Sequence, residues 1–98
     1  MEYRTLGKTG LKVSLVSLGS GGTRKLGQDS QMNQESQTFL VRKALNLGIN
    51  LIDTSAQYGD SEAILGKALK EFSRDSYLIC TKWYSANKPD PIESPKLL

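Results

Sequence analysis

The sequence predicts an α/β fold in which parallel β-strands alternate with α-helices. Three apolar runs, residues 15–19, 49–54 and 77–82, have the composition of buried strands and start roughly 30 residues apart. The residues between these runs carry the period of amphipathic helices. Alternation at this spacing is typical of parallel strands joined by right-handed helical crossovers. Two architectures satisfy the pattern: the doubly wound open sheet and the (β/α)8 barrel.

A β-hairpin is predicted before the first of these strands. Residues 3–6 and 11–14 are short strand-like runs, and the four residues between them begin and end with glycine, as a turn requires. The strand at 15–19 then runs into a glycine-rich stretch, residues 19–27. This stretch does not lead at once from a G-x-G-x-x-G motif into a helix, which favours the barrel over the open sheet.

Two helices are predicted between the strands. The first begins after Asn33 as N-cap and ends before Gly48, where a left-handed residue belongs. The second begins near Asp60, because acidic residues favour the positive end of the helix dipole. The predicted buried stripes are Leu40, Val41, Ala44 and Leu45 in the first helix, and Ile64, Leu65, Ala68, Leu69 and Phe72 in the second. The strand at 49–54 is apolar without alternation, which predicts cover on both faces.

Composition excludes several classes of protein. The chain of 98 residues has the length of one small domain, and 38% hydrophobic with 23% charged residues is ordinary for a soluble protein. The formal charge of +3 comes from scattered basic residues, so we predict no nucleic-acid partner. No apolar stretch reaches the roughly 18 residues of a membrane span, so we predict no membrane partner.

Cysteine and histidine content limits the chemistry further. Cys80 is the single cysteine and has no partner for an internal disulfide, which favours a reducing, cytoplasmic location. Its position in an apolar strand predicts a small buried side chain rather than a reactive thiol. The sequence has no histidine, so we predict no metal site.

Three polar side chains are predicted to meet at the carboxyl ends of the strands. Asp53 ends the second apolar strand, Tyr58 lies in the loop directly after it, and Lys82 ends the third strand. In α/β folds the loops at this edge face a common crevice, and the glycine-rich stretch belongs to the same edge. Adjacent parallel strands lie roughly 4.8 Å apart, so Asp53 and Lys82 can pair if their strands are neighbours.

Together, these three side chains are the combination that an acid catalyst requires. A tyrosine phenol has an ordinary pKa of about 10 and is a poor proton donor at neutral pH. An ammonium beside a phenol favours the phenolate, and a carboxylate beside the ammonium holds it in place and charged. We therefore expect Asp53 to anchor Lys82, and Lys82 to make Tyr58 a stronger acid.

Three segments resemble the N-terminal third of the aldo-keto reductases: EYRTLGKTGLKVS, LGINLIDTSAQYGDSEAILGKAL and YLICTK. The resemblance implies a (β/α)8 barrel closed at its bottom by the hairpin, with about three of eight βα units present. It implies one incomplete domain, in which residues 1–14 form the hairpin, 15–82 the first strands and helices, and 83–98 a loop and tail. It also implies NADPH-dependent reduction of small aldehydes or ketones to alcohols.

The resemblance also assigns roles to individual residues. It identifies Asp53, Tyr58 and Lys82 as the family's aspartate, general acid and lysine, and places the family's histidine beyond the end of this sequence. The loop that would lie against the nicotinamide and its ribose consists of Gly19, Ser20 and Gly21, with Asp53 beside it. Trp83 would begin the wall of the substrate pocket.

Two other interpretations stay open at this point. The chain could belong to a non-catalytic barrel of the same family that serves as a binding or regulatory subunit, or to another barrel enzyme in which Asp53 is a general base. In every case the isolated chain is expected to be inactive and prone to aggregate, because it leaves a sheet edge and part of the core uncovered. The sequence predicts no particular oligomeric state.

Overall fold

The structure, a computed structural model, describes residues 1–82. The predicted tail at 83–98, with Trp83, lies outside the described residues. The strands are β1 (Tyr3–Thr5), β2 (Lys12–Ser14), β3 (Leu18–Gly19), β4 (Leu51–Asp53) and β5 (Leu78–Cys80). The helices are α1 (Gln34–Asn46) and α2 (Ser61–Ala68), and shorter 3-10 turns span Lys25–Ser30, Leu69–Glu71 and Arg74–Ser76.

The predicted hairpin is present and is attached to the amino end of β4. Strands β1 and β2 pair antiparallel, with Arg4 opposite Val13. Asn50, which directly precedes β4, accepts a hydrogen bond from the Ser14 backbone N–H (2.7 Å) and donates one to the Lys12 carbonyl (2.9 Å). The hairpin therefore lies at the end of the sheet opposite Asp53, as a cap on the bottom of a barrel would.

The remaining strands form one parallel sheet in the order β3, β4, β5. Ile52 of β4 is fully buried and packs against Val41 of α1 and Leu65 of α2, so both helices cover the same face of the sheet. Because side chains alternate along a strand, the neighbouring Asp53 points to the opposite face. Within residues 1–82 this second face is open, contrary to the expectation that β4 is covered on both sides.

Helix α1 has its predicted ends, and α2 begins directly after Asp60 as predicted. Asn33 caps α1, with its side-chain oxygen accepting a hydrogen bond from the Ser36 N–H at 2.8 Å. Gly48 follows α1 with a φ of +100°, a left-handed conformation that glycine adopts at little cost. The predicted stripe of the second helix has the right burial, with Leu65, Ala68 and Leu69 buried and Ile64 and Phe72 half-buried, although α2 ends at Ala68 and Leu69 and Phe72 follow it.

The first parallel strand is shorter than the predicted 15–19. Leu15 and Val16 are 57% and 54% exposed. The Leu15 N–H donates to the Glu2 carbonyl at 2.8 Å, so the chain still follows the hairpin at that residue. It joins the parallel sheet only at Leu18, which pairs with Ile52.

Two predicted burials are wrong. Leu40 is 40% exposed, and Gln37 takes its place in the α1 stripe, because the face toward the sheet is set by the 37, 41, 44 spacing. Cys80 is exposed. It pairs with Asp53 and so shares the open face of the sheet, where the described residues provide no cover.

No helix among residues 1–82 has both the length and the apolar character to cross a membrane.

Candidate active site

The site begins with an ion pair across β4 and β5. Lys82 Nζ lies 3.0 and 3.1 Å from the two carboxylate oxygens of Asp53 and 2.9 Å from the Thr54 carbonyl oxygen. Strand register explains the contact. Asp53 lies opposite Cys80, and Lys82 follows two residues later, so an extended backbone turns all three side chains to the same face.

The pair keeps Lys82 protonated. Hydrogen bonding to the Asp53 carboxylate raises the pKa of Lys82 above its ordinary 10.5, and this effect outweighs desolvation, which lowers it. The neighbouring Tyr58 side chain adds a smaller rise. Lys82 is therefore a cation throughout the physiological range.

Tyr58 lies on the same side of the sheet as this cation. Its ring centroid is 4.9 Å from Lys82 Nζ, within the range of a cation–π contact. The loop after β4 turns sharply here, because the Tyr58 N–H donates to the Ser55 carbonyl (3.1 Å) and the Ser61 N–H donates to the Tyr58 carbonyl (3.0 Å). The loop thus returns directly into α2 and leaves the half-buried tyrosine beside Lys82.

The glycine loop, which consists of Gly19, Ser20 and Gly21 at the end of β3, packs on the Tyr58 ring. A Cβ placed on Gly21 would lie 2.7 Å from ring atoms Cε2 and Cζ of Tyr58, closer than real Cβ contacts come. Gly19 lies opposite Asp53 in the sheet and is exposed, with nothing within 4 Å of a Cβ built on it. The loop therefore combines a tight contact at Gly21 with open space at Gly19.

Ser20 lies beneath this surface rather than on it. It is fully buried, and both its N–H (3.1 Å) and its hydroxyl (2.9 Å) donate to the Asp53 carbonyl oxygen. Its own carbonyl accepts a hydrogen bond from the buried Ser61 hydroxyl at 2.6 Å. The Ser20 side chain thus supports the backbone of Asp53.

Sequence reasoning missed several polar groups around the site. Glu62 is 6% exposed, and its carboxylate accepts a hydrogen bond from the Thr81 hydroxyl (2.8 Å), one residue before Lys82. Glu62 lies in the first turn of α2, where an acidic residue favours the helix dipole, and nothing in the local pattern shows its partner. Gln28, in the Lys25–Ser30 turn, bonds to the Tyr58 loop. Its only sequence signal is a polar residue directly after the glycine-rich stretch.

Comparison with known proteins identifies the family of the chain. The chain matches the Aldo/keto reductase family model over residues 17–96. It is 42% identical over 88 residues to the aldo-keto reductase YhdN of Bacillus subtilis, a match that takes in 84% of this chain and 25% of YhdN. The structure resembles that of PA4992 from Pseudomonas aeruginosa, described as a proposed aldo-keto reductase. Identity is 41% and the TM-score 0.69, over 83% of this chain and 30% of that one.

One relative is named as a channel subunit rather than as a reductase. A Schizosaccharomyces pombe protein, named as a proposed voltage-gated potassium channel subunit beta, is 42% identical over 86 residues, with 84% of this chain and 24% of that protein covered.

The chain belongs to the aldo-keto reductase family, and its described residues form part of that family's (β/α)8 barrel. It spans about a quarter to a third of the length of the relatives it matches, 25% of YhdN and 30% of PA4992.

Proposed function

We propose that Tyr58, Lys82 and Asp53 are the acid catalyst of an NADPH-dependent reductase of aldehydes and ketones. The observation that carries the proposal is the position of the Lys82 ammonium, which contacts both Asp53 carboxylate oxygens and lies 4.9 Å from the Tyr58 ring centroid. The proposal concerns a complete barrel of the length of the relatives, of which this chain spans about a quarter to a third.

Each side chain has a separate task. The Tyr58 hydroxyl donates its proton to the carbonyl oxygen of the substrate as that oxygen gains negative charge. The Lys82 ammonium favours the phenolate that this transfer leaves behind. Asp53 holds Lys82, and because both of its oxygens already accept hydrogen bonds from that ammonium, the geometry does not favour Asp53 as a general base.

The glycine loop fits one end of a flat cofactor. Gly19 offers an exposed backbone without a side chain on the same face as Asp53, so a planar ring can approach the catalytic groups there. We propose Gly19 and Gly21, the Ser20 backbone and Asp53 as contacts, while the buried Ser20 hydroxyl is already engaged. When bound, NADPH would supply the hydride.

Several finer points belong to the same proposal. The substrate is a small aldehyde or ketone, and the expected location is the cytoplasm. The assignment of Trp83 to the substrate pocket remains a prediction, because that residue lies outside the part of the chain that the structure describes.

A second candidate is a non-catalytic regulatory subunit. The similarity to a proposed channel subunit beta, at 42% identity, supports this second candidate function. The two candidates differ in turnover: a reductase oxidises NADPH when an aldehyde is added, whereas a regulatory barrel binds NADPH without sustained turnover.

The test uses a chimera in which residues 1–82 replace the matching segment of YhdN. We expect this chimera to oxidise NADPH with a panel of small aldehydes, measured by absorbance, with YhdN itself as the reference. Tyr58→Phe should lower kcat by at least about a hundredfold, since it removes the proton donor. NADPH binding, measured by fluorescence titration, should change little.

Tyr77→Phe is the matched control, because Tyr77 lies outside the site with its ring beneath Arg74. It should retain full turnover. A folded chimera without turnover would favour the regulatory subunit, and full turnover in Tyr58→Phe would refute the role of the phenol.

A further inference from the structure

The Gln28 side-chain amide connects two segments that are about 30 residues apart in the chain. Its oxygen accepts a hydrogen bond from the Asp60 backbone N–H at 2.8 Å. Its nitrogen donates to the Lys25 carbonyl (2.8 Å) and to the Ser61 hydroxyl (3.0 Å), with a longer contact to the Tyr58 carbonyl at 3.4 Å. One side chain thus joins the Lys25–Ser30 turn to the loop that carries Tyr58.

The amide also forms the outer end of a buried hydrogen-bond network. The Ser61 hydroxyl that accepts from Gln28 donates to the Ser20 carbonyl at 2.6 Å, and the Ser20 hydroxyl donates to the Asp53 carbonyl at 2.9 Å. Ser61 and Ser20 are both fully buried. In a low-dielectric interior such bonds are costly to break, so the network fixes the Tyr58 loop relative to the backbone of Asp53.

The backbone next to Tyr58 is shaped to receive this amide. Gly59 has a φ of +58°, and a Cβ built there would collide with the Gln28 side-chain oxygen. The loop therefore approaches Gln28 through a residue that has no side chain, in a conformation that other residues rarely adopt. The contact is close because the sequence leaves room for it.

We propose that Gln28 is a positioning residue that holds the Tyr58 loop against the Lys25–Ser30 turn and so keeps the phenol beside Lys82. The expected effect of Gln28 on turnover rests on the proposed function. The hold of Gln28 on the Tyr58 loop, which is the structural part of the proposal, does not. Gln28 acts through Tyr58 and contacts neither Lys82 nor the carboxylate of Asp53 in the described residues.

The structural part is tested by hydrogen exchange at the Asp60 amide in the YhdN chimera, in which the rest of the barrel covers the open edge and face, and this measurement needs no turnover. Gln28→Met keeps the size of the side chain and removes every hydrogen bond, so exchange at Asp60 should accelerate at least about tenfold. Gln28→Glu keeps an acceptor for that N–H, and exchange should stay within about threefold of the starting protein. Gln34→Met, at the exposed start of α1, should change nothing. Equal exchange at Asp60 in Gln28→Met and the starting protein would overturn the proposal.

The effect on turnover is measured in the YhdN chimera. Displacement of the phenol slows proton transfer and does not change the affinity for the cofactor. Gln28→Met should therefore lower kcat about tenfold and leave the KM for NADPH unchanged. Gln28→Glu should restore part of the loss. If the chimera turns over and Gln28→Met matches it, this inference fails while the proposed function stands. If the starting chimera does not turn over, the proposed function fails, and the exchange experiment decides the structural part alone.

Discussion

At the scale of single residues, the sequence predicts the groups at strand ends better than the groups around them. Asp53 and Lys82 follow from the rule that parallel strands end at one edge of a sheet, and Tyr58 follows from its place in the loop directly after the second strand. Gln28 and Glu62 could not be predicted, because their partners are 19 to 33 residues away and no periodic pattern encodes a side-chain hydrogen bond across that distance.

In the proposed mechanism, the pairing of Lys82 with Asp53 serves chemistry more than stability. Their side chains are 40% and 42% exposed, and ion pairs at such positions contribute about 0–1 kcal/mol. The direction in which pH changes this contribution to stability follows from the raised pKa of Lys82. Folding is favoured by the pair below pH 10.5, and that contribution is lost as the pH rises through the folded pKa above it. No loss of this contribution is expected between pH 6 and 9.

Gly21→Ala should disturb the site directly. The new methyl group would lie 2.7 Å from two Tyr58 ring atoms, so the ring must move by a good part of an ångström. Displacement of this size should lower kcat of the chimera about tenfold. The shift should also appear in the NMR signals of the Tyr58 ring.

Gly66→Ala is the control for this substitution. Gly66 lies inside α2, and a Cβ built on it meets nothing within 4 Å. Alanine there should leave turnover intact and raise stability by about 1 kcal/mol through its higher helix propensity. Unchanged turnover and unchanged Tyr58 signals in Gly21→Ala would show that the close packing of the glycine loop is unimportant.

At the scale of elements, the sequence predicts where α1 begins and ends and where α2 begins. For the strands it predicts the position but not the length. The Asn33 cap, Gly48 after α1 and the acidic start of α2 are local signals, and local signals fix helix ends. Strand length depends on pairing with other strands. β3 and β5 each have fewer residues than their apolar runs, because only part of each run lies beside β4.

The Lys25–Ser30 turn is an element near the site that the sequence did not predict. Leu26 is 5% exposed and has a left-handed φ of 59°, which is unusual for leucine. Its side chain belongs to the core with Val41 and Ile52. Burial there over-rides the local backbone preference, and the turn this creates is what brings Gln28 to the Tyr58 loop.

At the scale of the whole molecule, the described residues leave two surfaces uncovered. The face of the sheet with Asp53 and Cys80 has no second layer, and within residues 1–82 the sheet ends at β3 on one side and at the edge strand β5 on the other. A surface cavity of about 460 Å³ lies beside that edge, and none of its lining residues belongs to the proposed site. Its apolar lining includes Leu69, Phe72 and Ile79.

These surfaces predict the behaviour of the isolated 98-residue chain. An open edge and an uncovered face promote association, so we expect concentration-dependent oligomers in sedimentation experiments and a broad thermal transition. The YhdN chimera, in which the remaining barrel covers both surfaces, should sediment as a defined species and melt cooperatively. A sharp, cooperative melt from a monomeric isolated chain would contradict this expectation.

The central claim is that Asp53 holds Lys82 charged against Tyr58, and titration of the Lys82 ammonium by ¹⁵N NMR tests it most directly. The chimera is labelled at lysine, and the signal is assigned by its loss in Lys82→Arg. The account predicts a pKa for Lys82 above 10.5 that falls in Asp53→Asn, because the carboxylate is the largest cause of the rise. The same pKa in both proteins would contradict it.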